Sequence, residues 1–417
     1  MNSSISSSSA AYQRYLRLVA ALIGAAAALV AGFNWLIDPF SVFGAPRVRG
    51  LNADKPDFIE HLRLTNAYAP YRLKPNCVII GTSRTGRGLS PAHPGFRGER
   101  CYNIALPAIG AYEMLRYFQH AHAIRPLRRA VLALDFRVFH SAPNESGAFS
   151  EARLPVDANG APSPGHLAAV ATDGAASLLS TAALIASART VRMQGWPLVS
   201  LAEDGQWVSR SDRGDYADGF KAYTANTFKR FDEYKRAPFD LEQAAAPLRE
   251  ILRIAHRDRI DLRLLVSPSH AWHWEAMRMA GLSDRFEEIK RLLVRLNEEE
   301  ARRAGGAPFP LWDFSGSDGP NAEEVPLAGQ VGRMQWYWES VHYKPALGDR
   351  VLSVVLDHPD RSEGAAFGTA LTPENLEEHL SRLRLSADRF AARQSPFGDV
   401  VRNLHPASPR RARSELP

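Results

Sequence analysis

The run Val78-Ile79-Ile80 ends on Gly81-Thr82-Ser83-Arg84-Thr85-Gly86-Arg87-Gly88, and this stretch restricts the fold more than any other. Three consecutive β-branched apolar residues leave neither face of a strand polar, which suits a parallel strand buried on both sides. The glycines and hydroxyls that follow stop such a strand at a tight turn. Ser83 falls on that turn. Ligands of open α/β sheets bind outside the carboxyl ends of the strands, so a hydroxyl just past a buried strand stands where reacting groups collect. The competing reading is a phosphate-type or purely structural turn.

Ahead of it, Leu18 to Ile37 is uncharged, follows Arg14 and Arg17, and carries Trp35 near its end. Twenty helical residues span about 30 Å, the thickness of a bilayer's hydrocarbon core. Three readings compete here: an uncleaved anchor, a signal peptide cut near Ala31-Gly32, and an Ala-rich soluble core helix. The anchor reading makes residues 1–17 a cytoplasmic terminus, 18–37 a single transmembrane helix, and everything beyond it extracytoplasmic, since flanking arginines stay on the cytoplasmic side. Residues 38–76 then read as a juxtamembrane arm with a helical pattern from Pro56 to Ala67.

From Cys77 a strand–helix alternation begins. Strands are expected at Cys77–Gly81, Cys101–Ala105 and Ala130–Phe136, with a helix over Ala111–Ile124 whose Met114, Leu115, Phe118 and Ala121 share one face. The rhythm breaks between residues 144 and 240. That segment holds one long Ala-rich helical stretch, His166 to Val191, and an aperiodic Gly/Asp-rich stretch, Gly205 to Gly219, and reads as an insertion able to cap the sheet. Alternation returns with a helix at Leu241–His256, a strand at Leu262–Val266, a helix at Asp284–Ala304, a strand at Phe309–Phe314 and a closing helix at Ala346–Leu356. Residues 359–417 read as a tail with one helix, Pro373–Ala392, and disorder beyond.

Totals exclude several function classes. The formal charge of +6 comes from scattered arginines, and the Arg410, Arg411, Arg413 cluster is the only dense basic group, so a nucleic-acid partner is not expected. No zinc-type Cys/His spacing, P-loop or dinucleotide fingerprint is present, so neither metal nor cofactor is expected. His270, Trp272, His273 and Trp274 form a cluster after the fourth strand; its histidines lack a further ligand set, and Trp272 and Trp274 suit either stacking on a sugar or filling a core.

A serine hydroxyl needs a base to become a nucleophile, and that base needs a third group to fix its tautomer. Glu339 and His342 are three residues apart, so on one helical turn the carboxylate would reach the imidazole. They stand just before the closing helix, at a loop on the sheet's carboxyl edge.

With strand, serine turn, alternating elements and a terminal acid–histidine pair in this order, the chain resembles the SGNH/GDSL hydrolase superfamily, most closely its membrane-anchored bacterial members, some of which move acetyl groups on surface polysaccharides. The likeness runs from about Asp38 to Leu356 and is densest over Val78–Leu89, Tyr102–Glu113 and Trp336–Gly348. It implies a flavodoxin-like three-layer α/β sandwich at 77–358 with a central, mostly parallel sheet. It also implies Ser83 as nucleophile, His342 as general base, Glu339 orienting His342, and the backbone N–H groups of Ser83 and Gly110 as oxyanion donors. No cofactor is implied. The expected partners are a glycan substrate, the inner membrane with the domain in the periplasm, and a membrane acyl-donor protein. The alternative is a non-catalytic module of the same fold that binds or positions polysaccharide.

Three departures mark this chain. Gly81-Thr82-Ser83 replaces Gly-Asp-Ser, and Glu339 is one methylene longer than the usual Asp. Asp135 stands where an Asn normally donates to the oxyanion. An ionised carboxylate cannot donate there, and one lost donor costs about 3 to 4 kcal/mol of transition-state stabilisation. Either Asp135 turns away and another group such as Asn103 donates, or activity is low. Arg84 and Arg87 suit an anionic sugar or acyl carboxylate, or else local pairs that fix the turn. Cys77 and Cys101 each open a strand; if those strands are neighbours a disulfide is feasible, and otherwise both are buried thiols.

Overall fold

The computed structural model describes residues 4–140, 148–209, 216–326, 332–358, 367–392 and 396–406. The insertion's first residues from Asn144 and the Arg410, Arg411, Arg413 cluster lie outside them. Helix α1 (Ser4–Ile37) leads to α2 (Phe58–Leu73), β1 (Cys77–Gly81), α3 (Ser83–Gly88), β2 (Cys101–Ala105), α4 (Ala111–Ile124) and β3 (Arg129–Leu134). The insertion supplies α5 (His166–Leu179), α6 (Thr181–Arg192), a hairpin of β4 (Val199–Leu201) and β5 (Trp207–Ser209), and α7 (Tyr216–Arg236). Then come α8 (Leu241–Arg257), β6 (Asp261–Val266), α9 (Ala271–Met279), α10 (Ser283–Ala304), β7 (Leu311–Asp313), α11 (Pro345–Val355), β8 (Thr369–Ala370), α12 (Leu376–Ala392) and α13 (Pro396–Leu404).

A six-stranded sheet in the order β2-β1-β3-β6-β7-β8 forms the centre, parallel except for β8. Every residue of β1 is buried, as its unbroken apolar run requires. The amphipathic helices α4, α8 and α10 pack side by side, and α3 packs on α11. Chain order reverses at β1, which lies between β2 and β3. The crevice outside the carboxyl ends of β1 and β3 is therefore the topological switch point of the sheet.

Several elements differ from the sequence reading. Strand β3 stops at Leu134, so Asp135 and Phe136 leave the sheet in a 3-10 turn. The long Ala-rich stretch is two helices, because Ser180 caps α6 through the Ala183 N–H and bends the pair by 56°. Of the Gly/Asp-rich stretch, residues 207–209 form a strand and 216–219 begin α7, while 210–215 lie outside the described residues. Beyond the closing helix the chain is structured as well: β8 extends the sheet, and α13 occupies ground read as disorder. The buried carboxylate of Asp313, flanked by Lys290 Nζ at 2.8 Å and His379 Nε2 at 2.9 Å, ties α12 to β7 and α10. These two partners hold Asp313 well below the usual carboxylate range against the opposing effect of its burial.

Ala10–Ile37 of α1 is long and apolar enough to cross a membrane, a property that a signal sequence shares. The arm that follows folds tightly. Asp38 adopts a left-handed φ of 45°, and its carboxylate accepts the N–H groups of Val42, Phe43, Gly44 and Ala45 at 2.8 to 3.2 Å. Lys55 Nζ donates to the Ile37 and Asp38 carbonyls at 2.6 and 2.9 Å. Burial pushes the Lys55 ammonium down to about 8, with Asp38 opposing. Helices α5 and α6 pack against α1, and Asn34 Nδ2 donates to the Leu178 carbonyl at 2.8 Å.

Cys77 and Cys101 pair in register across β1 and β2 with their Cα atoms 4.3 Å apart, and they form a disulfide. The bridge lies at the amino ends of the strands, away from the switch point. Full-length protein purified without reductant is expected to show no free thiol. Cys101→Ser should lower unfolding stability by about 3 kcal/mol, the loop-closure contribution for this sequence separation, measured by denaturant titration with and without reductant.

Candidate active site

Strand β1 ends at Gly81, and Thr82 caps α3 by accepting the Arg84 N–H at 3.3 Å. Ser83 is thus the first residue of α3, with no carbonyl one turn back in that helix to take its own N–H. Two glycines let neighbouring rings close on this short helix. A Cβ on Gly86 would meet the Trp207 indole at 2.5 Å, and one on Gly88 would meet the Tyr343 ring at 1.9 Å.

His342 Nε2 lies 2.8 Å from Ser83 Oγ, although the two are 259 residues apart in sequence. Its Nδ1 bonds to Glu339 Oε1, which also accepts the His342 backbone N–H at 3.0 Å, while Oε2 accepts the Val341 N–H at 2.8 Å. The extra methylene of Glu339 is absorbed by this curl of carboxylate onto its own backbone. The pair sits in a turn and not on a helix: Tyr337 and Tyr343 form an antiparallel bridge, and Trp338 N–H donates to the His342 carbonyl at 2.9 Å. Thr224 of α7 braces the turn through its hydroxyl on Ser340 Oγ at 3.1 Å. Burial pushes the His342 imidazole below its ordinary value, and the Arg87 and Arg84 guanidiniums push the same way against Glu339. The imidazole is therefore a neutral base at pH 7, with Nε2 on the serine and its Nδ1 side fixed by the carboxylate.

Asp135 turns away from the reacting edge. It is buried, accepts the Thr82 hydroxyl, and pairs with Arg84 NH1 at 3.0 Å. Arg84 is consumed in the same network: Nε donates to the Val341 carbonyl at 3.2 Å, and NH2 meets His273 Nε2 at 3.2 Å. Burial, then Arg84 and Arg230, hold His273 well below its ordinary value, so it is a neutral acceptor. Arg84 joins the turn of Ser83 to the turn of His342, the local pairing that was one of its two expected roles, and it also lines the cleft.

Other expectations fail for identifiable reasons. Asn103 donates both protons of Nδ2 to the Thr85 and Leu89 carbonyls at 3.1 and 2.9 Å, leaving none for an oxyanion. Gly110, the expected second oxyanion donor, is the N-cap of α4, and Pro107 and Ala108 just before it line the cleft at Ser83. Trp272 is a core residue edge-on to Phe220 at 5.4 Å. Trp274 stacks on Phe286 at 5.4 Å and donates its indole N–H to the Ser269 carbonyl at 2.8 Å. Neither tryptophan reaches the cleft. Among the described residues no group of three His, Cys, Asp or Glu side chains is placed to hold a metal ion.

The cleft encloses about 260 Å3, and the sequence reading missed half of its wall. Trp207 of β5 and Tyr223, Arg230, Phe231 and Tyr234 of α7 come from the insertion, with Arg137 from the turn after β3. The signal was present: Tyr216, Phe220, Thr224, Thr227, Phe231 and Tyr234 recur every three or four residues, the pattern of a helix with one buried face.

No protein-family model matches the chain, and no curated protein matches it by sequence.

The geometry places His342 Nε2 where it could take the Ser83 proton, which a probe of serine reactivity tests. A fluorophosphonate probe is expected to label Ser83 at a rate that is level near pH 7 and falls on acidification, with a midpoint below the ordinary imidazole value of 6.5. Glu339→Gln should slow labelling by roughly 10³ to 10⁴, because an amide no longer fixes the productive tautomer.

Proposed function

We propose that this chain is an SGNH-like, serine-dependent acyl transferase or esterase acting on ester-linked acyl groups, chiefly acetyl, of a surface glycan. The observation that carries this is the contact of His342 Nε2 with Ser83 Oγ at 2.8 Å at the sheet's switch point, with Glu339 on the other ring nitrogen. Ser83 Oγ attacks the ester carbonyl as His342 Nε2 takes its proton. The tetrahedral oxyanion accepts the Ser83 backbone N–H. Collapse expels the alcohol, which leaves with the proton from His342, and an acyl-Ser83 remains. An incoming hydroxyl then gives its proton to His342 and takes the acyl group, the bond to Ser83 Oγ breaks as His342 returns that proton to Oγ, and a glycan hydroxyl completes transfer while water completes hydrolysis.

A glycan acceptor is supported by a second, wider cleft of about 800 Å3 that shares Arg87 and Trp207 with the first. Trp336 and Trp338 line it beside Gln335 and Arg350, an aromatic and hydrogen-bonding surface of the kind that sugars use. An inner-membrane anchor that stays attached, with the domain in the periplasm, is supported by the end of α1: Asn34 and Ile37 are wholly buried against the domain, and a disulfide suits an oxidising compartment. A membrane protein that supplies the acyl group is the natural partner of the transferase. The binding-module reading loses the feature that favoured it, since Asp135 points at Thr82 and Arg84 and not into the cleft.

Full-length protein in detergent, incubated with an activated acetyl ester, should accumulate acetyl on Ser83, detectable by mass spectrometry of the peptide. Ser83→Ala should abolish both adduct and turnover. Turnover unchanged by Ser83→Ala, or no adduct in the wild type, would return the chain to the binding reading.

A further inference from the structure

The cleft at Ser83 is lined by four arginines, Arg84, Arg87, Arg137 and Arg230, and by no aspartate or glutamate among the described residues. The two carboxylates closest to the reacting groups are already spent. Asp135 neutralises Arg84, and Glu339 is taken up by His342 and two backbone N–H groups. Arg137 donates to the Tyr234 hydroxyl at 2.6 Å. Arg87 and Arg230 have no carboxylate within ion-pair distance among the described residues. Arg87 lies one helical turn beyond Ser83, and its Nε is buried without a hydrogen-bond acceptor. Both charges are felt inside the cleft: Arg87 acts on His342, and Arg230 acts on His273.

Positive groups gathered in a partly enclosed site, such as Arg87 and Arg230 with no carboxylate paired to either among the described residues, repel one another until an anion enters. Guanidinium forks match a carboxylate in shape as well as charge. We propose that the substrate carries a carboxylate next to the ester that Ser83 attacks, and that Arg87 and Arg230 bind it. This deepens the acyl chemistry proposed for Ser83 and rests on it. Two sources present the same chemistry: the acyl group itself, as the half-ester of a dicarboxylic acid, or a uronate ring in the glycan acceptor.

The test uses the full-length protein in detergent and has two arms. In the first, 4-nitrophenyl hemisuccinate is compared with 4-nitrophenyl acetate. An anionic acyl group predicts a higher kcat/KM for the hemisuccinate, and Arg87→Gln and Arg230→Gln should each lower the hemisuccinate-to-acetate ratio about tenfold, with partial recovery in Arg87→Lys. In the second arm, Ser83→Ala is titrated with methyl glucuronoside and with methyl glucoside. A uronate acceptor predicts tighter binding of the glucuronoside, weakened by added salt and lost when Arg87 and Arg230 are both changed to Gln. A preference in either arm that these substitutions remove supports the assignment and names the source. Equal handling of charged and neutral compounds in both arms, or a preference that survives the substitutions, overturns it. Salt-sensitive binding of the glucuronoside without acylation of wild-type Ser83 would instead sink the catalytic reading and leave the anion site standing.

Discussion

A single buried ion pair holds the reacting groups together. Arg84 and Asp135 are both nearly shielded from water, with side chains 10% and 2% exposed, so each carries a desolvation cost of several kcal/mol that their mutual attraction must offset. Offsetting requires that the remaining hydrogen-bonding positions be filled. Asp135 also accepts the Thr82 hydroxyl, and Arg84 also binds the Val341 carbonyl and His273. The end of β3, the nucleophile turn, the histidine turn and α9 thereby meet at one guanidinium. Ser83 and His342, 259 residues apart in the chain, thus stand on two turns joined through one guanidinium.

Asp135 faces Thr82 and Arg84, and by binding both it supports the turn that presents Ser83. Thr82 is part of the same arrangement. Its hydroxyl donates to Asp135 and accepts from the Arg84 N–H, two bonds that a carboxylate in its place would not both make.

The central elements were legible because their patterns are strong and local. The apolar run of β1, the matching Cys101–Ala105 strand and the one-sided periodicity of α4 give the same residue limits in sequence and structure. Ser83 was readable from its strand–turn setting, and Glu339 and His342 from their order before the last helix. Orientation was not readable. Nothing in the sequence says that Asn103 spends its amide on two carbonyls, that Asp135 bends back, that Trp272 is held in the core or that Trp274 packs half-buried on Phe286, since each depends on the folded arrangement around it. The insertion was read as a cap, and its helix α7 does more than cover: it supplies cleft wall and braces the histidine turn through Thr224. The buried stripe of α7 is masked in sequence by the Gly- and Asp-rich residues that precede it and run into its first turn.

The junction at Asp38 bears on how such a domain would work from a bilayer. Four backbone N–H groups converge on one carboxylate, and an ammonium seals the last carbonyls of α1, so the exit from the helix is a stiff elbow and not a tether. Were α1 to lie in a bilayer, such an elbow would hold the mouth of the cleft at one height and one tilt above the lipid.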